Sequence, residues 1–128
     1  MTPEVKFFTP KEANQRLPLV KRIVEDILKI GQDIRALSIK IGAHAEKDSR
    51  VIHLMDALED LFVELESLGC SYKDWNFTFG LVDFPSTLEG REVFLCWRSD
   101  ESQLKFYHEI NEGFSGRKLI PEKYFDTS

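Results

Sequence analysis

Side chains capable of chemistry crowd into the C-terminal half of the chain, where Asp83, Arg91, Cys96, Arg98, Glu101, Tyr107, His108, Glu109 and Arg117 all fall between positions 83 and 117. Three chemistries fit these types. Asp83, Arg98, Tyr107 and Glu109 can form cross-strand ion pairs and aromatic contacts that stabilise an exposed sheet, the commonest use of such residues and individually a weak one. Arg98, with Arg91 or Arg117, can grip an anionic small molecule through planar donor forks, which makes Asp83, Arg91, Arg98, Tyr107, Glu109 and Arg117 the candidate ligand-binding set. Asp83, Glu101, His108 and Glu109 form an oxygen-rich group suited to magnesium or manganese, or to acid and base work.

The remaining reactive groups read more simply. Cys96 sits mid-strand beside Trp97, and core packing is favoured over a nucleophilic role, which would need exposure and a cationic neighbour to lower its pKa. Gly113-Phe-Ser-Gly-Arg117 can present backbone N–H groups to an anion, but it lacks the glycine-lysine pattern of a phosphate loop and reads as a turn. His44 and His53 have no second ligand one helical turn away and read as surface residues.

The elements that must position these groups are legible in the apolar spacing. Thr9-Pro10-Lys11-Glu12 has the form of a capping box with proline at the first helical position, so a helix begins there. Pro18 offers no N–H to the preceding turn, which predicts a short helix over 10–16 and a break before the main one. Val20, Ile23, Val24, Ile27, Ile30, Ile34, Leu37 and Ile41 step by three and four, predicting a long helix over 19–43. After a polar turn at 43–49, Val51, Leu54, Met55, Leu58, Leu61, Phe62, Leu65 and Leu68 predict a second helix, stopped by Gly69. Leu19, Leu28, Ile39 and Val63 lie off these stripes and are candidates for contact with the sheet or a second subunit.

Beyond Gly69 the pattern becomes short runs rich in aromatic and β-branched residues, predicting strands at 79–84, 91–98 and 104–110, with loops at 85–90 and 99–103. Alternation carried from strand to strand puts Val82, Phe84, Val93, Leu95, Trp97, Phe106, His108 and Ile110 against the helices. Leu81, Asp83, Glu92, Phe94, Cys96, Arg98, Lys105, Tyr107 and Glu109 then fall on the opposite face. Alternation does not fix register between strands. The tail from Pro121 reads as extended and partly disordered.

The expected architecture is therefore α+β, one domain over 1–128. A long N-terminal antiparallel helical hairpin (10–69, broken near Pro18) packs on a small C-terminal three-stranded antiparallel meander (79–110), followed by a loop and tail (111–128). A chain of 128 residues is long enough to bury a core without staples. Ten Lys/Arg stand against twelve Asp/Glu in 1–69, and seven against ten in 70–128, so neither half is basic and nucleic acid is not an expected partner. Cys70 and Cys96 have no zinc-finger spacing. The opening residues do not read as a leader and no apolar run is long enough to span a bilayer, so a cytoplasmic protein with no membrane partner is expected.

Phe8-Thr9, Glu12-Ala13-Asn14, Leu17-Pro18, Gly80-Leu-Val-Asp-Phe-Pro85, Gly90-Arg-Glu-Val93, Leu95-Cys-Trp-Arg98, His108-Glu109 and Gly113-Phe-Ser-Gly-Arg117 together resemble the bacterial domain-of-unknown-function family 2203. That family tends to read Trp-His-Glu where this chain has Tyr107-His108-Glu109. The resemblance covers nearly the whole chain and implies no particular activity or cofactor. The residues themselves favour a non-enzymatic regulatory or interaction protein, self-associating through its off-stripe helical residues, a dimer foremost. The alternative is a small-molecule-binding or divalent-metal-dependent enzyme working at the charged sheet face and the Gly113–Arg117 loop, with no other cofactor expected.

Overall fold

A computed structural model describes residues 5–125. Helix α1 starts on the expected cap: Glu12 N donates to Thr9 Oγ1 at 3.1 Å, and Glu12 Oε1 accepts from Thr9 N at 2.9 Å. It then runs unbroken over Pro10–Ile41, through Pro18. The expected break is therefore absent. Pro18 faces solvent, and the buried stripe Ala13, Leu17, Val20, Val24 and Ile27 passes behind it without interruption. Burying each large apolar side chain stabilises by roughly 1.5–3 kcal/mol, enough between Leu17 and Val20 to offset the roughly 3 kcal/mol that an interior proline costs.

A 3-10 turn at Ala45–Lys47 leads into α2, Ser49–Ser67, whose N-cap Asp48 accepts from Arg50 N at 2.8 Å. The two helices form the expected hairpin. Gly31 lets the loop after α2 come close, since a Cβ there would fall on the Phe77 ring. Among the described residues the main hydrophobic cluster takes in nothing between Leu28 and Leu58, while Ala45 and Val51 are buried at the far end of the hairpin.

The sheet has five strands rather than three, in an antiparallel meander of order β1-β2-β3-β4-β5: Ser71–Tyr72, Leu81–Leu88, Arg91–Arg98, Phe106–Glu109 and Lys118–Leu119. The two edge strands are two residues long, too short to leave an alternating pattern. β2 continues through the stretch expected as a loop. Pro85 O accepts from Phe8 N at 2.8 Å, so the proline's N side faces the sheet edge beyond β1, where no ladder bond is lost. The reversal is instead the two residues Glu89 and Gly90, at φ 53° and 78°, the left-handed pair that a tight hairpin requires.

Just before the tail, Ile120 is buried and donates its N–H to Lys105 O at 2.8 Å. The tail itself, expected to be extended, forms a 3-10 turn at Glu122–Tyr124. Positions 126–128, which the same expectation covers, lie outside the described residues.

Val82, Phe84, Leu88, Val93, Leu95 and Trp97 pack against Leu17, Val20, Val24, Ile27 and Leu65. The expected inner face is therefore correct for β2 and β3, and for β4 it is inverted. Phe94 pairs with His108 and Cys96 with Phe106, while Val93 pairs with Glu109 and Leu95 with Tyr107. Tyr107 and Glu109 thus share the helix side, and Phe106 and His108 point outward. The phase of β4 is set by the connection from Arg98 to Phe106, and shifting it by one residue exchanges the faces of the whole strand.

Candidate functional site

The inverted strand creates the site. β3 is central, with Asp83 beside it on β2 and His108 on β4, and the small Cys96 side chain lies between them. His108 Nε2 reaches Asp83 Oδ2 at 3.1 Å. Asp83, Cys96 and His108 are 4%, 2% and 4% exposed. Their donor atoms, a carboxylate oxygen, a sulfur and a ring nitrogen, lie within 4.8 Å of one another, and among the described residues they are the one His/Cys/Asp/Glu group with the spacing to hold a metal ion.

Hydrogen bonding fixes the histidine. Its Nδ1 is 2.8 Å from Glu109 O, and because a carbonyl can only accept, Nδ1 carries the proton. Nε2 and Asp83 then share a second proton, since two bare lone pairs would repel at 3.1 Å. Cys96 adds its thiol, which also bonds to Asp83. Burial, and after it the Asp83 charge, push that thiol up to about 12 against the opposing field of Arg117. A thiol so protonated is a poor nucleophile at neutral pH, which weighs against the nucleophilic reading.

These three residues lie at the floor of a cavity of about 300 Å³. Lys73, Leu81, Phe94, Ile110, Glu112, Gly113 and Phe114 complete its lining. The Phe94 ring lies 5.6 Å from the His108 ring, and Lys73 Nζ is 5.9 Å from the Phe94 ring centre. A neighbouring hollow shares Leu81 and Phe114 and holds Arg98, whose guanidinium lies between Phe79 and Phe114 at 5.1 and 5.4 Å. A larger hollow of about 660 Å³ lined by Gln103, Lys105, Leu119, Ile120, Glu122 and Phe125 contains no buried titratable side chain.

The candidate ligand-binding residues divide between the two faces. Asp83 and Arg98 are on the outer face, and Arg117 lies over it, stacked 4.0 Å from the Phe106 ring. Arg91, Tyr107 and Glu109 belong to the helix side, where Arg91 Nη2 binds Glu109 Oε1 at 2.8 Å. Arg98 is engaged by Asp100, with Nη2 to Oδ2 at 2.8 Å. The oxygen-rich metal set is also not assembled. Asp83 meets His108, but Glu101 accepts from Arg117 Nη2 with both oxygens, at 2.7 and 2.6 Å, and Glu109 is held by Arg91. Sulfur replaces those oxygens in the observed cluster. Cys96, Lys73 and Phe94 were the residues missed as site members. The signal available for Cys96 was its place two residues from Arg98 on the strand face that also carries Glu92 and Phe94.

The arrangement defines an α+β chain with a helical hairpin on one side of an antiparallel meander and a buried Asp-Cys-His cluster in a cavity on the other. The chain belongs to the family described as uncharacterized conserved protein (DUF2203), whose profile matches residues 6–120. Neither the curated proteins nor the solved structures contain a match to it. No helix among the described residues is long and apolar enough to cross a membrane.

Proposed function

We propose that this protein binds a small molecule in the cavity on the outer face of the sheet and acts on it by proton transfer, with His108 and Asp83 as the acid–base pair. The observation that carries this reading is the placement of three almost fully buried titratable side chains at the floor of an open cavity. Burying such groups costs free energy that apolar residues at these positions would not, and sites of chemistry are where that cost is commonly borne. Lys73 on the wall offers one cation to a polar ligand group, and Phe94 and Phe114 favour a ligand with a flat apolar part.

A thermal-shift screen of the full chain against carboxylates, phosphates and nucleotides tests this, with Gly113→Trp as the control. Gly113 lines the cavity and a Cβ there meets no atom within 4 Å, so a side chain can start from this position and its bulk narrows the cavity. A ligand should raise the midpoint of the native chain and leave the variant's unmoved. Absence of any shift across the panel, or equal shifts in both proteins, would overturn the reading.

A second reading concerns the far half of the hairpin, which lies beyond the main hydrophobic cluster and exposes Ile39 and Met55 at 77% and 51%. We propose that a second copy of the chain covers this surface, pairing hairpin with hairpin as a two-fold dimer does. Sedimentation at high micromolar concentration should give a dimer that Ile39→Glu and Met55→Glu dissociate. A monomer there would contradict it.

A further inference from the structure

We propose that Asp83, Cys96 and His108 are three protein ligands of a zinc-type transition metal ion, with the fourth position opening into the cavity. This rests on the reading of the cavity as a small-molecule site and replaces the acid–base pair within it, because an Nε2 lone pair and a carboxylate oxygen that hold an ion no longer exchange a proton with a ligand. Zinc binds imidazole nitrogen and carboxylate oxygen at about 2.0–2.2 Å and thiolate sulfur at about 2.3 Å, so two ligand atoms around a tetrahedral ion stand roughly 3.3–3.8 Å apart. The three donor atoms here, all within 4.8 Å of one another and with one pair at 3.1 Å, need only small side-chain adjustments to enclose an ion.

The hydrogen bonds are those a metal ligand requires. His108 donates Nδ1–H to the Glu109 carbonyl at 2.8 Å, which directs the Nε2 lone pair at the cluster and holds the ring there. Zinc-binding histidines are oriented in the same way by an acceptor on their other nitrogen. Between Nε2, the Asp83 carboxylate and the Cys96 thiol lie the shared proton and the thiol proton. A dication replaces both, so the two protons leave to solvent as one metal enters, and the site's charge rises by none. Arg117, whose field favours ionised sulfur, stands near enough to assist the thiolate.

The donor set selects the metal. One nitrogen, one sulfur and one oxygen suit zinc or cobalt, whereas magnesium and manganese prefer oxygen alone. Three protein ligands with an open fourth position are the pattern of a catalytic zinc rather than a closed structural one. In the cavity that position is flanked by Phe94 and Phe114, leaving room for water or a ligand atom.

The test uses the purified full chain, freed of metal with a chelator and titrated with cobalt(II) chloride and then with zinc chloride. The expected result is one ion per chain, a visible spectrum of tetrahedral cobalt and a near-ultraviolet thiolate-to-cobalt band that zinc abolishes. Cys96→Ser should remove the thiolate band, and His108→Gln should weaken zinc binding about 100-fold or more, at least the upper end of what outer-shell partners of a zinc site cost. Circular dichroism of each variant checks the fold, and the near-isosteric Cys96→Ser serves where His108→Gln is unstable. No stoichiometric cobalt, or a cobalt spectrum unchanged in Cys96→Ser, would overturn the proposal. If metal fails to bind while a small molecule still shifts the native chain and not Gly113→Trp, the metal site is wrong and the cavity reading stands. Metal that binds with the thiolate band, without any small-molecule shift, supports the site and removes the reading above it.

Discussion

Asp83 and His108 lie on strands that do not pair with each other, yet their side chains meet at 3.1 Å across the central strand, over Cys96. A larger side chain than cysteine at position 96 would hold them apart. Asp83→Ala leaves His108 Nε2 buried without its partner, and such a group costs about 1–3 kcal/mol. Urea denaturation should show that loss for Asp83→Ala and for His108→Ala. The double variant should lose less than the sum by about 0.5–3 kcal/mol, as expected of residues in contact. Strict additivity would separate the pair.

Pro18 interrupts the ladder of α1 without breaking the helix, so Asn14 O has no amide to accept from at that position. Pro18→Ala supplies one on a solvent-facing site and should stabilise the chain by about 1–3 kcal/mol. Asn14→Ala should do the opposite. Its side chain donates to Leu104 O at 3.1 Å and accepts from Leu104 N at 2.8 Å, tying α1 to the connection that sets the phase of β4. Two lost hydrogen bonds predict a loss of about 1–3 kcal/mol in the same denaturation experiment.

How far the sequence reveals this molecule is decided by the range over which each signal acts. Thr9, Glu12 and the apolar stripes of both helices act within one or two turns, and the structure follows them. Pro18 was misread because the local cost of proline is smaller than the tertiary burial of Leu17 and Val20 on either side of it. Pro85 was misread as loop because its edge position depends on Phe8, far away in the chain. The phase of β4 depends on how the 99–105 connection folds onto α1, so alternation correctly grouped Asp83 with Cys96 and wrongly placed His108 with the core. The site was visible as a list of residue types, and its membership was fixed only by strand register.

Gly31→Ala places a methyl group onto the Phe77 ring. The favourable helix propensity of alanine, about 1 kcal/mol, should be outweighed by an overpacking cost of about 1–3 kcal/mol. In a Phe77→Ala background the same substitution should become stabilising. A stabilised Gly31→Ala single variant, read by thermal denaturation, would show that the 73–79 loop does not rest on α1.

Cys70 is buried against Leu65 O, and burial raises its thiol to about 12. The unfolded thiol ionises nearer 8.5. Because the folded pKa is the higher, the stabilisation is complete below the unfolded value and is lost as pH rises from about 8.5 toward 12, by at most about 1.4 kcal/mol per pH unit. Cys70→Ala should make stability less steeply dependent on pH between 9 and 11. An unchanged slope would show the thiol to be accessible in the folded chain.

The central claim is that β4 turns His108 outward to Asp83 with its Nδ1 proton held by the Glu109 carbonyl. Long-range proton–nitrogen correlation spectroscopy of the ¹⁵N-labelled chain reports the state of both ring nitrogens directly. The account predicts that His108 shows a protected proton on Nδ1, and that Asp83→Asn shifts the Nε2 resonance while leaving Nδ1 protonated. A His108 ring that carries its proton on Nε2 alone, or whose nitrogens do not respond to Asp83→Asn, would contradict it.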